Sequence, residues 1–100
     1  MFHVRVTNRG IWGDDGRGGW TLLRTEAVDS HYVVDAPTAN IARKCAYMYE
    51  NGDDTGKTPM KKALANTELL YEGSYVKQYL KGIKANYERI ECGRDGLAFK

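Results

Sequence analysis

The stretch from residue 31 to residue 52 constrains the fold most, because it predicts a strand, a turn and a capped helix in succession. Tyr-Val-Val at 32–34 has high β-propensity. Pro37 ends the extended run, and Thr38 stands where a helix N-cap is expected. Apolar residues then recur at helical spacing, namely Ile41, Ala42, Cys45, Met48 and Tyr49. The Asn-Gly pair that closes the stretch predicts the helix end, so we expect a helix over 38–51.

The length and composition predict a single domain over residues 1–100, large enough to bury one core. No apolar run approaches the ~20 residues that cross a bilayer, and the N-terminus enters a strand pattern instead of a targeting sequence. The formal net charge of +2 argues against a strongly acidic mimic of nucleic acid. We therefore expect a soluble, cytoplasmic protein that does not bind a membrane.

Strand patterns dominate the first third of the chain. Residues 2–7 alternate between apolar and polar side chains, which predicts a strand with one buried face. Residues 9–19 hold five glycines and two aspartates, a composition typical of a long flexible loop. Strand character resumes over 20–27, and Val-Asp-Ser at 28–30 predicts a short turn before the strand at 32–34. Together these segments predict a three-stranded antiparallel meander.

The second half of the chain is predicted to be largely helical. Pro59 stands at the first position of a predicted helix, directly before Met60. Gly73 interrupts this helix, and Ser74 can cap a continuation that runs to Ile83. The predicted inner face consists of Met60, Leu64, Thr67, Leu70, Tyr71, Val76, Tyr79, Leu80 and Ile83.

The end of the chain allows two interpretations. Residues 86–92 either extend the helix or form a strand in which Glu88, Ile90 and Cys92 face inward. The turn sequence at 93–96, followed by apolar residues at 97–99, favours the strand. The predicted architecture is therefore α+β: an antiparallel sheet of three to five strands with two or three helices packed on one face.

Residue types that carry catalysis or bind metals are present but poorly arranged. Ser30 and His31 follow an aspartate, yet neighbours on an extended chain point to opposite faces and cannot easily share a hydrogen bond. The possible nitrogen and sulfur ligands, which lack the paired spacing of a metal site, are His3, His31, Cys45 and Cys92. We predict no catalytic residue, no metal and no cofactor. We expect the two cysteines to be free thiols in a reducing compartment.

The first candidate contact residues lie in or beside the glycine-rich segment, and they are Arg9, Trp12, Arg17 and Trp20. Structureless loops of this length are often functional, and exposed Trp and Arg dominate interface hot spots. The alternative is that Trp12 folds back over the edge of the sheet as a core residue, since Trp is usually highly buried. The sequence leaves both interpretations open.

A ladder of tyrosines interleaved with lysines is the second candidate. The tyrosines lie at multiples of four; the ladder consists of Tyr71, Tyr75, Tyr79 and Tyr87, with Lys77, Lys81 and Lys84 between them. Such groups can stack bases and hold phosphates, or line a groove on a protein. The alternative is the buried stripe of an amphipathic helix whose lysines face water. The predicted contact residues are Tyr75, Lys77, Tyr79, Lys81 and Lys84.

The junction Val-Val-Asp-Ala-Pro-Thr at 33–38, followed by Ala39, Ala42 and Ala46, resembles the layout of small phage-encoded inhibitors. The RNA-polymerase-inhibiting protein of T7-like phages and several anti-CRISPR proteins are similar in size and in this junction. The chain departs from that polymerase inhibitor in its long helical second half, and from acidic inhibitors in its positive charge. The resemblance implies a stoichiometric blocker of a host enzyme or defence complex in the bacterial cytoplasm, with no catalysis of its own.

Three classes of function follow from these patterns. The leading expectation is a non-catalytic, anti-CRISPR-like binding protein that inhibits a larger protein or ribonucleoprotein complex by occupying a functional surface. The alternative is a small nucleic-acid-binding protein that uses the lysine–tyrosine face, although thirteen acidic residues and the low net charge argue against it. An enzyme comes third, because no catalytic constellation is recognised.

Overall fold

A computed structural model describes residues 1–53, 56, 58–73 and 87–92, and the statements below concern these residues. The side chains of Trp20 and of residues 87–89 lie outside this description. The elements in chain order are β1 (Phe2–Asp14), β2 (Trp20–Asp35), α1 (Ala39–Asn51), α2 (Met60–Ala65), β3 (Thr67–Glu72) and β4 (Tyr87–Glu91). The strands form one sheet in the order β3-β1-β2-β4, so the fold is α+β as expected.

The sheet is mixed, and the expectation of a purely antiparallel sheet is wrong. β1 pairs antiparallel with both β2 and β3, whereas β4 pairs parallel with β2, so that Ile90 lies opposite Val34. The strand favoured for 86–92 is confirmed over Tyr87–Glu91. The turn expected at 93–96 and the strand at 97–99 lie outside the described residues.

The first two strands form one long hairpin where a loop and a three-stranded meander were expected. β1 continues to Asp14 and β2 begins at Trp20, so the predicted loop over 9–19 is wrong except for its last five residues. There, the carboxylate of Asp15 accepts hydrogen bonds from the backbone N–H groups of Arg17 and Gly19. This local bonding forms the turn, which explains why so many glycines and aspartates belong to a hairpin.

The turn expected at 28–30 is a β-bulge inside β2. Val6 lies opposite Ser30, whereas Asn8 lies opposite Ala27, so a single β1 residue faces two residues of β2. The Val-Asp-Ser sequence therefore bends the strand without reversing it, which is what an extra unpaired residue does to an antiparallel ladder.

Helix α1 has the predicted start and end. The Thr38 hydroxyl accepts a hydrogen bond from the backbone N–H of Ile41 at 3.2 Å, and Gly52 ends the helix in the left-handed conformation at φ 68°. A glycine is favoured there because other residues resist a positive φ. The main core joins α1 to the sheet and consists of Val4, Val6, Tyr32, Val34, Ala42, Cys45, Ala46, Tyr47, Ala63 and Ile90.

The long helix expected from Met60 is wrong beyond Ala65. The guanidinium of Arg43 on α1 donates to the carbonyl oxygens of Leu64 and Thr67, at 2.9 and 2.8 Å, and so satisfies backbone groups at the end of α2. Thr67–Glu72 then forms β3, in which buried or half-buried residues alternate with exposed ones. Thr67, Leu70 and Tyr71 therefore belong to a strand with a period of two. The continuation expected over 74–83 lies outside the described residues.

Cys45 and Cys92 form a disulfide, so the expectation of two free thiols is wrong. Their Cα atoms are 6.3 Å apart across 47 residues of sequence. β4 lies beside β2 and α1 packs over the sheet, and this arrangement brings the residue after β4 against the buried face of the helix. Neither of the two described helices is long and apolar enough to cross a membrane.

Candidate interaction surface on the distal hairpin

The hairpin extends beyond the rest of the sheet. β3 pairs with β1 only over Phe2–Val6, and β4 pairs with β2 only over His31–Asp35. Within the described chain, the segment from Asn8 to Ala27 is therefore a two-stranded ribbon, roughly 20 Å long at the usual rise per strand residue. We call this segment the distal ribbon, and we call the four-stranded part of the sheet with α1 and α2 the base.

A few polar contacts hold the distal ribbon against the end of α1. The backbone N–H of Gly10 donates to the side-chain oxygen of Asn51 at 2.8 Å. Arg9 donates to the carboxylate of Glu26 at 2.7 Å and lies 3.8 Å from Glu50 on α1. The hydrogen bond to Glu26, and then its negative charge, raise the pKa of Arg9. Arg9 thus links both strands of the ribbon to the base.

Three large apolar side chains are exposed on the distal ribbon. Trp12 is 47% exposed and lies directly opposite Leu22, which is 38% exposed. Leu23, at 57%, lies where a second bulge shifts the register. Trp12 is half exposed and so does not belong to the buried core. The ammonium of Lys62 on α2 lies 5.8 Å from the centre of the Trp12 ring, a cation–π distance.

Two glycines of β1 let these apolar side chains lie against the backbone. A Cβ at Gly10 would approach Leu22 Cδ1 to 2.8 Å and Trp12 Nε1 to 2.9 Å, and a Cβ at Gly13 would approach Leu23 Cδ1 to 2.5 Å. A larger side chain at either position would displace the ends of these apolar side chains. Glycines at 10 and 13 therefore allow close packing within a strand.

The structure places the predicted contact residues unevenly. Arg9 and Trp12 lie on β1, Arg17 is exposed in the hairpin turn, and Trp20 begins β2 opposite Asp14. All four belong to the distal ribbon. The other five predicted contact residues, which lie outside the described residues, are Tyr75, Lys77, Tyr79, Lys81 and Lys84.

Two members of the tyrosine ladder are not helical. Tyr71 lies on β3 and Tyr87 on β4, so the interpretation of one continuous helical ladder is wrong at its two ends. Sequence reasoning also missed Leu22 and Leu23. Adjacent leucines in a strand point to opposite faces, so one face of a thin ribbon must expose a leucine whichever way the ribbon packs.

A second polar cluster lies where the distal ribbon meets the base. His3 Nε2 is 2.8 Å from His31 Nδ1, and His31 Nε2 is 2.9 Å from Asp29 Oδ1. The Nε of Arg5 donates to the same Asp29 oxygen at 2.5 Å, and Arg5 Nη1 lies 3.4 Å from Glu68 on β3. His3 is fully buried.

The electrostatics of this cluster follow from burial and from the ion pair. Burial lowers the pKa of His3, and a positive charge on His31 lowers it further. The hydrogen bond from Arg5 holds the pKa of Asp29 below its usual value. Ser30 takes no part, because its hydroxyl donates to Glu50 on α1 at 2.9 Å. The expectation that Ser30 and His31 point to opposite faces is confirmed.

Other arrangements suited to chemistry are sparse in the part of the chain that the structure describes. Among the described residues, no group of three or more potential metal ligands converges. An open pocket of about 360 Å³ is lined by Asp35, Ala36, Pro37, Glu91 and Cys92. Comparison with known proteins found no matching family model, no matching curated protein and no matching solved structure. Geometry is therefore the basis for inferring a function.

Proposed function

We propose that this chain is a non-catalytic binding protein that attaches to a larger protein or ribonucleoprotein complex through its distal ribbon. The observation that carries this proposal is the exposure of the cross-strand pair Trp12 and Leu22, and of Leu23 on the other face, on a segment that contributes no buried side chain among those described. Clustered apolar groups at a surface mark interaction sites, because leaving them in water is unfavourable.

The residue types exposed on the ribbon suit an interface anchor. Fully burying one such aliphatic or aromatic side chain contributes about 1.5–3 kcal/mol, and Trp is the residue type most enriched among interface hot spots. The two strands pair throughout the ribbon, so its backbone is already ordered before a partner arrives. Preorganisation of this kind lowers the entropic cost of association.

The charge of the distal ribbon favours a protein partner over nucleic acid. Residues 8–27 carry three basic and three acidic side chains, and one acid, Glu26, is already paired with Arg9. Binding to phosphates requires a clear basic excess. The nucleic-acid alternative depends on Lys77, Lys81 and Lys84, and it becomes one outcome of the test.

We further propose, from the resemblance at residues 33–38, that the bound complex is a bacterial enzyme or defence assembly that is inhibited by occlusion. A protein of this kind acts stoichiometrically. Its inhibition should saturate at one chain per binding site, because no turnover is involved.

The test is affinity capture from a bacterial lysate, with matched variants. Leu22→Ala on the ribbon and Leu70→Ala on β3 remove the same atoms from leucines that are 38% and 37% exposed. We expect Leu22→Ala, and more strongly Trp12→Ala, to lose a complex that wild type and Leu70→Ala both retain after nuclease treatment. Circular dichroism should be the same for all four proteins. Activity of the captured complex should then fall as the wild-type chain is added.

Three outcomes would contradict the proposal. Equal loss with Leu22→Ala and Leu70→Ala would show that the ribbon is not the contact. Recovery that disappears with nuclease would favour nucleic acid. Unfolding caused by Trp12→Ala would assign Trp12 to the core after all.

A further inference from the structure

The hydrogen-bonded cluster at the base of the distal ribbon spans the point where the ribbon bends. Asp29 belongs to the bulge opposite Thr7, and the chain of contacts runs from Asp29 through His31 to His3 on the neighbouring strand. Arg5 on β1 donates a hydrogen bond to the same Asp29 oxygen. These contacts join β1 and β2 on the base side of the bulge. Among the described side-chain contacts between strands on that side, they lie nearest to the bulge.

The number of protons on the two histidines determines whether the hydrogen bonds of this cluster can form. Asp29 as a carboxylate only accepts, so His31 Nε2 must carry a proton and donate it. In a neutral His31 the other nitrogen, Nδ1, then accepts from His3 Nε2–H across 2.8 Å. The pair can take up one further proton and stay hydrogen-bonded. This proton either binds His3 Nδ1, or it makes His31 the cation and leaves His3 neutral with its hydrogen on Nδ1. Only one hydrogen fits between the two facing nitrogens.

A second added proton is incompatible with this geometry. It would place two N–H groups face to face and two positive rings with centroids 5.0 Å apart. Among the described residues, the charges around the pair do not compensate for both rings. β2 supplies Asp29, and β1 supplies the positive Arg5. β3 places Tyr71 opposite His3 and Glu68 opposite Arg5, and Glu68 is 3.4 Å from Arg5. In the register of β4, Tyr87 lies opposite His31 and Arg89 opposite Val33.

We propose that the Asp29–His31–His3 chain is a pH-sensitive clamp that fixes the base of the distal ribbon and opens when the histidine pair takes up a second proton. Release loosens the bulge, so the ribbon moves more freely relative to the base below neutral pH. The consequence for a partner, weaker binding in acid, rests on the proposed function, because it requires the ribbon to be the contact surface. The opening itself does not require a partner.

The composition of the chain makes the clamp measurable in the intact wild-type protein. Both histidines lie in the clamp and both tryptophans lie on the distal ribbon. Imidazole NMR signals therefore report the proton count, and tryptophan quenching by acrylamide reports the ribbon. We expect both rings to be protonated on Nε2 at pH 8. We expect quenching to increase on acidification with a midpoint below 6.5, the ordinary His value, while far-UV circular dichroism stays constant.

Two matched variants separate the clamp from general acid effects. Asp29→Asn keeps an oxygen acceptor but removes the negative charge beside the histidine pair, so the quenching midpoint should move to lower pH. Asp35→Asn, an exposed aspartate on the same strand, should leave the midpoint unchanged. Neither variant alters the buried His3, so both are expected to fold.

The proposal is overturned by any of three results. The first is titration of the histidines while tryptophan quenching stays flat. The second is an equal shift of the midpoint in both variants. The third is an NMR spectrum at pH 8 that shows His3 protonated only on Nδ1. None of these measurements involves a partner. Failure of the clamp is thereby distinguished from failure of the proposed function, which the capture experiment decides.

Discussion

The base and the distal ribbon are built from the same hairpin but are stabilised differently. In the base, Val4, Val6 and Val34 are completely buried against α1, and a disulfide ties the helix to the end of β4. In the ribbon, no side chain whose exposure is described is buried between residues 7 and 31. The buried core and the exposed apolar side chains of the hairpin therefore lie in different parts of one pair of strands. Substitutions should separate the two regions.

The largest effect is expected from the disulfide, which acts on the base. Closing a 47-residue loop in the unfolded chain is worth about 4 kcal/mol in the chain-entropy model. We expect reductant to lower the free energy of unfolding by roughly that amount, measured by urea titration. Cys45→Ala with Cys92→Ala is the control, because reductant should not affect it. An unchanged wild-type midpoint under reductant would contradict this view of the base.

Truncation of one apolar side chain in each region gives the next largest contrast. Met48 is fully buried in α1, whereas Leu23 is 57% exposed on the ribbon. Met48→Ala should lower the free energy of unfolding by about 3 kcal/mol, since it leaves a cavity, and Leu23→Ala by no more than about 0.5 kcal/mol. Urea titration of both variants measures this. Equal losses would mean that the ribbon contributes to the core.

A smaller effect is expected at the start of α1. Thr38→Ala removes the acceptor of the Ile41 N–H hydrogen bond and should cost about 1 kcal/mol. Thr21→Ala, at an exposed position of the ribbon, is the matched control and should cost less. Thermal unfolding monitored by circular dichroism is sufficient to compare them. The expectation is wrong if the ribbon variant loses as much stability as the cap variant.

The smallest effect on global stability is expected from a change of pH, because this effect depends on the lowered pKa of one buried group. Below 6.5 the unfolded chain binds a proton that the folded His3 resists, so the free energy of unfolding should decline as pH falls from 6.5 and be flat above it. The lowered pKa of Asp29 acts in a separate window, with its stabilisation lost only below 3.8. Urea titrations between pH 5 and 8 test the first window. Stability that rises on acidification there would contradict the assignment.

Local chemistry made α1 predictable from the sequence. A threonine cap, an apolar stripe and a terminal glycine each favour the same helix, and the structure contains all three features. The strand at Tyr87–Glu91 was favoured for a similar reason, but its parallel pairing with β2 depends on how the chain returns to the sheet. No local pattern encodes that path.

The ribbon and β3 could not be derived because the decisive contacts are distant in sequence. Glycine at 10 and 13 predicts a loop unless Leu22 and Leu23 are known to lie against those positions. Likewise, the helical spacing of side chains continues in the sequence from Leu64 to Thr67. In the structure α2 has ended by then, and Arg43 binds the carbonyl oxygens of both residues. The contact between His3 and His31 spans 28 residues, so no local pattern in the sequence predicts it.

Amide hydrogen exchange with and without the captured complex shows whether the distal ribbon is the surface that meets a partner. We expect amides of Asn8–Ala27 to exchange faster than those of the base in the free protein, and to become protected in the complex. Protection that appears only in the base, with the ribbon still exchanging freely, would contradict it.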